Sequence, residues 1–464
     1  MSNDSHRLQD TSVYFSYPEQ FDDFCTDLWS EFLSEAFPPA KGVGRRPRVS
    51  REEQMRVIWM NLYWQWHVDP ERLISIPMRD VTYTTDDHYR QLGLTKLLPK
   101  MIRHLIDTGV LTLVKKGSEI SGKMTRVKPS KKLRNRFKRF APEIKPVQLK
   151  DENKKPINYE ETADTLRWGD ILRRYNALLE RTHIDVGHFT NKDHRKYGLN
   201  LSRRKHVYRQ FNNSSFSQYG RIHGAWWQLL PSQWRKDILI DDFETVEVDF
   251  TAMSTYITYG IEGVKPPMKD PYKLKAPREF IDGPTQRKFL KKLISIAYNT
   301  ASDADALWTF CEEYKKVVTP KFLAFFRNHG KSLLQAFRDT HPAISKYLCT
   351  NKKHGLMTMF EDSQLAMALI DHFTDREVPI LTIHDSFVVP EYEAGNLITK
   401  MTSLFFERFG FKPDLKQENI SMVQAQRLLK DDPLINNSPL DYFRTSERSE
   451  DYYSRREEFI SNIA

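Results

Sequence analysis

Two short stretches place carboxylates where the chain gains little structurally from them. Ile380–Val389 reads Ile-Leu-Thr-Ile-His-Asp-Ser-Phe-Val-Val, two apolar runs joined by His384-Asp385. That pattern predicts two short strands and a tight turn. Favoured two-residue turns carry Asn-Gly or Gly-X because their central residues need φ > 0, so His-Asp points to a use other than easy turning. An aspartate at a buried hairpin tip is costly unless a cation or donors satisfy it; the bland alternative is an Asp that accepts N–H groups of its own turn. Upstream, Thr245–Phe250 alternates as a strand and Thr251–Tyr259 follows as a helix, so Asp249 falls near the junction, where capping is its alternative role. Two carboxylates at the ends of adjacent strands have the chemistry to hold two divalent cations about 3.5–4 Å apart, as in-line phosphoryl transfer requires.

Between these stretches lies Gln286–Asn299. Helical spacing puts Arg287, Lys291, Ser295 and Tyr298 on one face. Cations and an aromatic ring together suit a triphosphate and a base. A solvated basic face is the alternative, which Tyr298, set in an Ile-Ala run, fits less well.

The three segments in this order resemble motifs A, B and C of family A nucleic acid polymerases and the related single-subunit phage and mitochondrial RNA polymerases. Tyr219-Gly220-Arg221-Ile222, followed by Leu229-Leu230-Pro231 and Arg235, is similar to the Gly-Arg segment that precedes motif A and contacts primer-template. Glu361–Leu365 through Pro390-Glu391 resembles the helix-hairpin region of the RNA polymerases, whose motif C reads His-Asp-Ser; the DNA polymerases usually have His-Asp-Glu. The resemblance covers roughly residues 205–410, and four ordered motifs are far more specific than one.

The resemblance implies an α+β right-hand polymerase with palm, fingers and a short thumb. It implies Mg²⁺ as cofactor (two ions, with Mn²⁺ possible in their place), held by Asp249, Asp385 and the Phe250 carbonyl. Arg287 and Lys291 would neutralise the triphosphate, and Tyr298 would pack on the incoming nucleotide. Arg221 and His384 would contact template or nascent strand. Family DNA polymerases carry a glutamate five residues after the first aspartate, where it meets a 2′-hydroxyl. This chain has Ser254 there, which favours ribonucleotides unless Met253 or Tyr256 fills the space. One departure stands out. Lys291 precedes Tyr298 by seven residues where the family has eight, and one residue turns a helix by about 100°. Either the helix is locally irregular or another cation serves the phosphates.

The elements that must position these residues follow from the rest of the chain. Its 464 residues are enough for two or three domains, and 71 Lys and Arg against 61 Asp and Glu suit a polyanionic partner. Cys25, Cys311 and Cys349 are scattered, without zinc or disulfide spacing, and fit a reducing compartment. No apolar run approaches membrane-spanning length. A cytoplasmic setting, bacterial or phage-infected by analogy, is the expectation.

Residues 1–45 form an N-terminal helical segment. Residues 46–140 begin with a helix after Ser50 and continue with a Thr95–Thr108 helix ended by Gly109, then strands Val110–Lys115 and Lys123–Lys128. Helix, strand, loop, strand resembles a winged helix, with Lys115, Lys116, Lys123, Arg126 and Lys128 as phosphate contacts and a further charge run at 131–139. Residues 141–190 read as a Pro- and Lys-rich linker and a thumb helix, 191–264 as palm, 265–355 as fingers, 356–430 as palm again and 431–464 as a polar surface tail. No set of acidic residues suggests a proofreading exonuclease. The reading is template-directed nucleotidyl transfer, most simply a single-subunit RNA polymerase or primase-like enzyme. A DNA polymerase of a mobile element or phage is the alternative, as is a non-catalytic DNA-binding initiator whose aspartates are structural.

Overall fold

Ser50 starts the first long helix through a reciprocal cap. Its Oγ accepts from the Glu53 N–H at 3.0 Å, and its own N–H donates to the Glu53 carboxylate at 2.5 Å. The helix, Arg51–Val68, is buried on nearly all sides, with Trp59 and Leu62 fully enclosed and Tyr63 and Trp66 almost so. Two of its buried amides are paired: Asn61 bonds both backbone groups of Gln9, and Gln54 accepts from Thr95. The computed structural model describes residues 5–11, 14–15, 18–38, 49–68, 72–117, 123–139, 144–197, 199, 205–274, 283–316, 318–350, 353–418 and 447–463. The basic stretch 41–48, Arg203, Arg204, the 118–122 part of the first loop, the 275–282 part of the Pro-rich loop and residues 431–446 of the tail lie outside them. The chain divides into two units, the first essentially residues 1–148 and the second essentially residues 159–464. Both helices and several sheets are present, a mixed α/β architecture.

In the first unit, strands β1 (Ser5–Arg7), β2 (Leu73–Ile76), β3 (Leu111–Lys115) and β4 (Thr125–Pro129) form one sheet in the order β1-β2-β4-β3. The Leu98–Asp107 helix ends at Gly109, whose φ of 72° suits glycine. Beyond Leu111, β3 is exposed on both faces at the edge of the sheet, in a ribbon with β4, whose alternate residues are buried and which also pairs with β2. The 131–139 charge run is a helix that packs one apolar side and leaves Lys131 and Lys132 exposed. Leu133 and Phe137 are buried, and Phe137 packs at 5.4 Å on Tyr63 and on Trp66. Strands β5 (Val147–Lys150) and β6 (Pro156–Ile157) occupy the stretch that its prolines mark as a linker.

The second unit contains β7 (Ile184–Val186), the antiparallel pair β8 (Tyr208–Asn212) and β9 (Ser215–His223), then β10 (Ile238–Ile240), β11 (Phe243–Phe250), β12 (Leu381–Ile383), β13 (Ser386–Pro390) and β14 (Leu415–Glu418). One sheet runs β12-β13-β11-β10-β7, with β14 also on β11. The fully buried Val246, Val248, Phe387 and Val389 lie on one face of its centre. The Ala163–Glu180 helix begins in a capping box between Thr162 and Thr165. Helices Gly283–Ala297, Asp303–Tyr314 and Pro320–Thr340 follow one another through a Phe-rich core around Phe289, Phe310 and Phe326. The chain end departs from the surface-tail expectation. Glu450–Ile463 is a helix tied to the sheet: Tyr452 is fully buried, Arg455 meets the buried Asp185 at 2.8 Å, and Arg456 meets Asp242 at 2.5 Å. Among the described residues no helix is long and apolar enough to cross a membrane.

Candidate active site

The His384-Asp385 pair is the whole turn between β12 and β13, since Ile383 pairs with Ser386. His384 takes φ 58°, the left-handed conformation such a turn demands and a non-glycine residue adopts at a cost. β13 runs antiparallel to β11 with Asp249 opposite Ser386, and the Phe250 N–H reaches the Asp385 carbonyl at 3.5 Å. The fold therefore brings the two aspartate backbones to one end of adjacent strands. Both side chains are half-buried. The bland roles fail for each. The Met253–Ile261 helix is capped at Ala252 with no side-chain bond, so Asp249 does not cap it. Among the described residues no donor bonds the Asp385 carboxylate, so it does not satisfy its own turn.

Behind the turn stands a charged cluster. Tyr219 and Gly220 adopt φ 72° and 67° where β9 bulges against β8. A Cβ on Gly220 would meet Ser363 Oγ at 2.7 Å and Phe211 at 3.0 Å, so only glycine allows β9 this close to the His354–Asp375 helix. The next residue, Arg221, pairs with the buried Asp362 at 2.9 Å. Burial pulls the Arg221 guanidinium down, but Asp362 and Asp385 more than offset it and hold it above its ordinary value. Burial raises the Asp362 carboxyl to about 7, with Asp385 adding to the rise and Arg221 opposing it. His384 lies below its ordinary value through burial and Arg221, with Asp385 opposing. Burial, helped by His384, Lys150 and Arg221, takes His223 down to about 4. Both imidazoles are therefore neutral at pH 7, and Arg221 faces Asp385 as the nearby cation.

Sequence patterning does not single out three residues that the fold brings here. Asp362 is one; its signal is a charge inside an otherwise apolar helical stripe. Glu247 is another: buried two residues before Asp249, it accepts from Ser386 Oγ at 2.5 Å and from Arg235 at 3.2 Å, joining the two aspartate strands. Lys416 on β14 lies directly across from Asp249.

The Gly283–Ala297 helix removes one of the two alternatives for the seven-residue spacing, a local irregularity, and leaves the other, a different cation at the phosphates, standing. The Tyr298 N–H still bonds the Ile294 carbonyl in the regular i to i−4 pattern, so no irregularity intervenes. Seven residues turn a regular helix through nearly two full turns, so Lys291 and Tyr298 share a stripe. Lys292 is turned toward the next helix and pairs with Glu313 at 2.5 Å. Lys291 is half-buried with no acidic partner among the described residues. Arg287 is held by Asp270 through two bonds of 2.6 and 3.2 Å. Tyr298 is 2% exposed, its ring 5.1 Å from that of His354 and its hydroxyl beside Thr255 and Thr258, so the expected packing on an incoming nucleotide is not available to so enclosed a ring. Ser254 is half-buried at the start of its helix. Tyr256 does not fill the space beside it, because its hydroxyl donates to the Lys269 carbonyl and its ring packs on Phe405 and Phe411.

Lys115, Lys116, Lys123 and Arg126 all lie on the β3–β4 ribbon of the first unit, with Lys115 opposite Arg126 and the three lysines exposed. Among the described residues no group of three or more His, Cys, Asp or Glu side chains forms a metal site; the candidate set is two carboxylates and a backbone carbonyl. No family model matches the chain, and no curated protein matches it.

Proposed function

We propose that the chain is a template-directed nucleotidyltransferase of the family A polymerase kind, most simply a single-subunit RNA polymerase or primase-like enzyme. The observation that carries this reading is the strand register that sets Asp249 beside the His384-Asp385 turn, with no donor on the Asp385 carboxylate among the described residues. In this reading the β12-β13-β11-β10-β7 sheet is the palm, the 283–340 helices are the fingers, the 163–180 helix is the thumb and the 98–139 region is a winged-helix-like module.

The donors fit a hard cation: two carboxylates and the Phe250 carbonyl are all oxygen, and the Asp385 carboxylate, with Arg221 nearby but no hydrogen-bond donor among the described residues, keeps its oxygens open to one. Asp249, Asp385 and the Phe250 carbonyl would hold Mg²⁺ or Mn²⁺, which would supply charge stabilisation for phosphoryl transfer. The chain's own share is placement and charge. Lys291 reaches the triphosphate. Arg287, fixed by Asp270, sets a second positive charge in a defined orientation. Tyr298, enclosed against His354, supports the helix that carries Lys291 rather than meeting the base itself. Arg221, with His384 beside it, holds the strand near the turn. Ser254 leaves room for a 2′-hydroxyl and offers it a hydrogen bond.

The test is extension of a labelled strand with Mg²⁺, offering ribonucleoside or deoxyribonucleoside triphosphates on DNA and RNA templates. Metal-dependent extension supports the proposal; its absence on every combination argues for the non-catalytic alternative.

A further inference from the structure

The β9 strand that carries Arg221 runs at its other end into a groove that nucleotidyl transfer as described does not use. Phe216 and Ser217 of β9, Asp164 and Trp168 of the 163–180 helix, and Phe360 and Gln364 of the 354–375 helix are among its lining, around a space of about 520 Å³. Phe216 and Phe360 are half-buried and so present ring surface to the opening, while Trp168 is 4% exposed. The three rings converge on the buried Phe211: Trp168 stacks on it at 5.1 Å, Phe216 meets it edge-on at 5.1 Å, and Phe360 lies at 6.4 Å.

Beneath this floor sits Arg209, fully buried, its guanidinium 4.3 Å from the Trp168 ring centre. It donates to the Gly220 carbonyl at 2.8 Å, Ser363 Oγ at 2.6 Å and Gln364 Oε1 at 3.3 Å, while its Nη1 has no partner among the described residues. Burial lowers it to about 9, so it stays charged at neutral pH. Two consequences follow for the groove. Gln364 is oriented with its oxygen inward on Arg209, which leaves its amide N–H₂ for an occupant. The ring faces are held rigidly by a cation stacked behind them.

The groove thus offers flat aromatic surface, an amide donor, several hydroxyls and one carboxylate, Asp164, the charged residue of the lining, whose Oδ1 accepts from Arg167 at 3.3 Å and whose other oxygen is left for an occupant. A carboxylate oxygen accepts from ring N–H and exocyclic amino groups. Flat apolar area with in-plane donor and acceptor matches a nucleobase. Ser217 and Arg221 are four residues apart on β9, at most about 13 Å of strand and less across the bulge at Tyr219 and Gly220, so within the rise of roughly four stacked bases. One nucleic acid strand can reach both.

We propose that this groove holds an unpaired base of the strand that passes Arg221, stacked against Phe216 and Phe360 with its edge toward Gln364 and Asp164. The inference rests on the polymerase reading only for the presence of that strand. It is tested by binding of the full chain, without metal or triphosphates, to single-stranded oligonucleotides in which a block of abasic residues is walked along an unchanged phosphate backbone. One block position should weaken binding roughly tenfold, within the range for a lost base–aromatic stack, and Phe216→Leu should abolish that sensitivity while keeping the salt dependence. Abasic blocks without effect at every position, or with the same effect in Phe216→Leu, overturn the proposal. An enzyme that extends strands yet ignores abasic blocks sinks the groove alone. A chain that senses them yet extends nothing sinks the polymerase reading alone.

Discussion

Asp362 gives the sharpest quantitative consequence of the charged cluster. Its carboxyl is enclosed, raised from 3.8 to about 7 by burial and by Asp385, with the Arg221 pair at 2.9 Å only partly compensating. A carboxyl raised on folding keeps in the native state a proton that the unfolded chain gives up. Stability from this group is therefore full below the unfolded value and is lost as pH climbs through the folded one. With 1.36 kcal/mol per pH unit as the limiting slope, the loss between pH 5 and 7 is about 2 kcal/mol, and over the whole interval on the order of 4 kcal/mol. Asp362→Asn removes the titration and should flatten the curve in that window. Asp385→Asn removes the neighbouring charge and should move the window to lower pH. Urea unfolding of the three proteins at pH 5, 6 and 7 reads the effect as midpoint differences. If Asp362→Asn loses as much stability between pH 5 and 7 as the wild type, the buried carboxyl is not the titrating group and the electrostatic picture of Arg221 is wrong.

The remaining predictions concern substrate handling. Lys291→Ala should raise the KM for nucleotide and lower turnover, while Lys292→Ala should leave KM unchanged and only loosen the contact with Glu313; steady-state kinetics of both variants decide, and the reverse pattern refutes the register. Ser254→Glu should shift single-nucleotide incorporation toward deoxyribonucleotides, whereas a wild-type enzyme already selecting deoxyribonucleotides contradicts the role given to Ser254. Replacing Lys115, Lys116, Lys123 and Arg126 with Gln should lower the slope of log affinity against log salt by up to about 3.6 if each meets one phosphate; an unchanged slope removes the ribbon from the interface.

What was legible beforehand was local. Alternation around His384-Asp385 and Asp249 marked the strands, and the Gly283–Ala297 helix was visible in its spacing, because period and turn chemistry are properties of neighbouring residues. What was not legible depends on contacts distant in sequence. Asp362 meets an arginine 141 residues away, and Lys416 reaches Asp249 only through a sheet pairing that no local pattern encodes. The closing helix reads as polar tail because a few anchors, Tyr452, Arg455 and Arg456, do the docking in place of an apolar stripe. Likewise the packing of the 131–139 charge run is hard to read locally, since it rests on Leu133 and Phe137 among many charges.

The most direct measurement is metal-dependent incorporation of one ribonucleotide by the wild type, Asp249→Asn and Asp385→Asn, with unfolding midpoints recorded alongside. The account predicts incorporation by the wild type with Mg²⁺ and none without it, and no detectable incorporation by either variant although both remain folded. Undiminished incorporation by either folded Asn variant would contradict it.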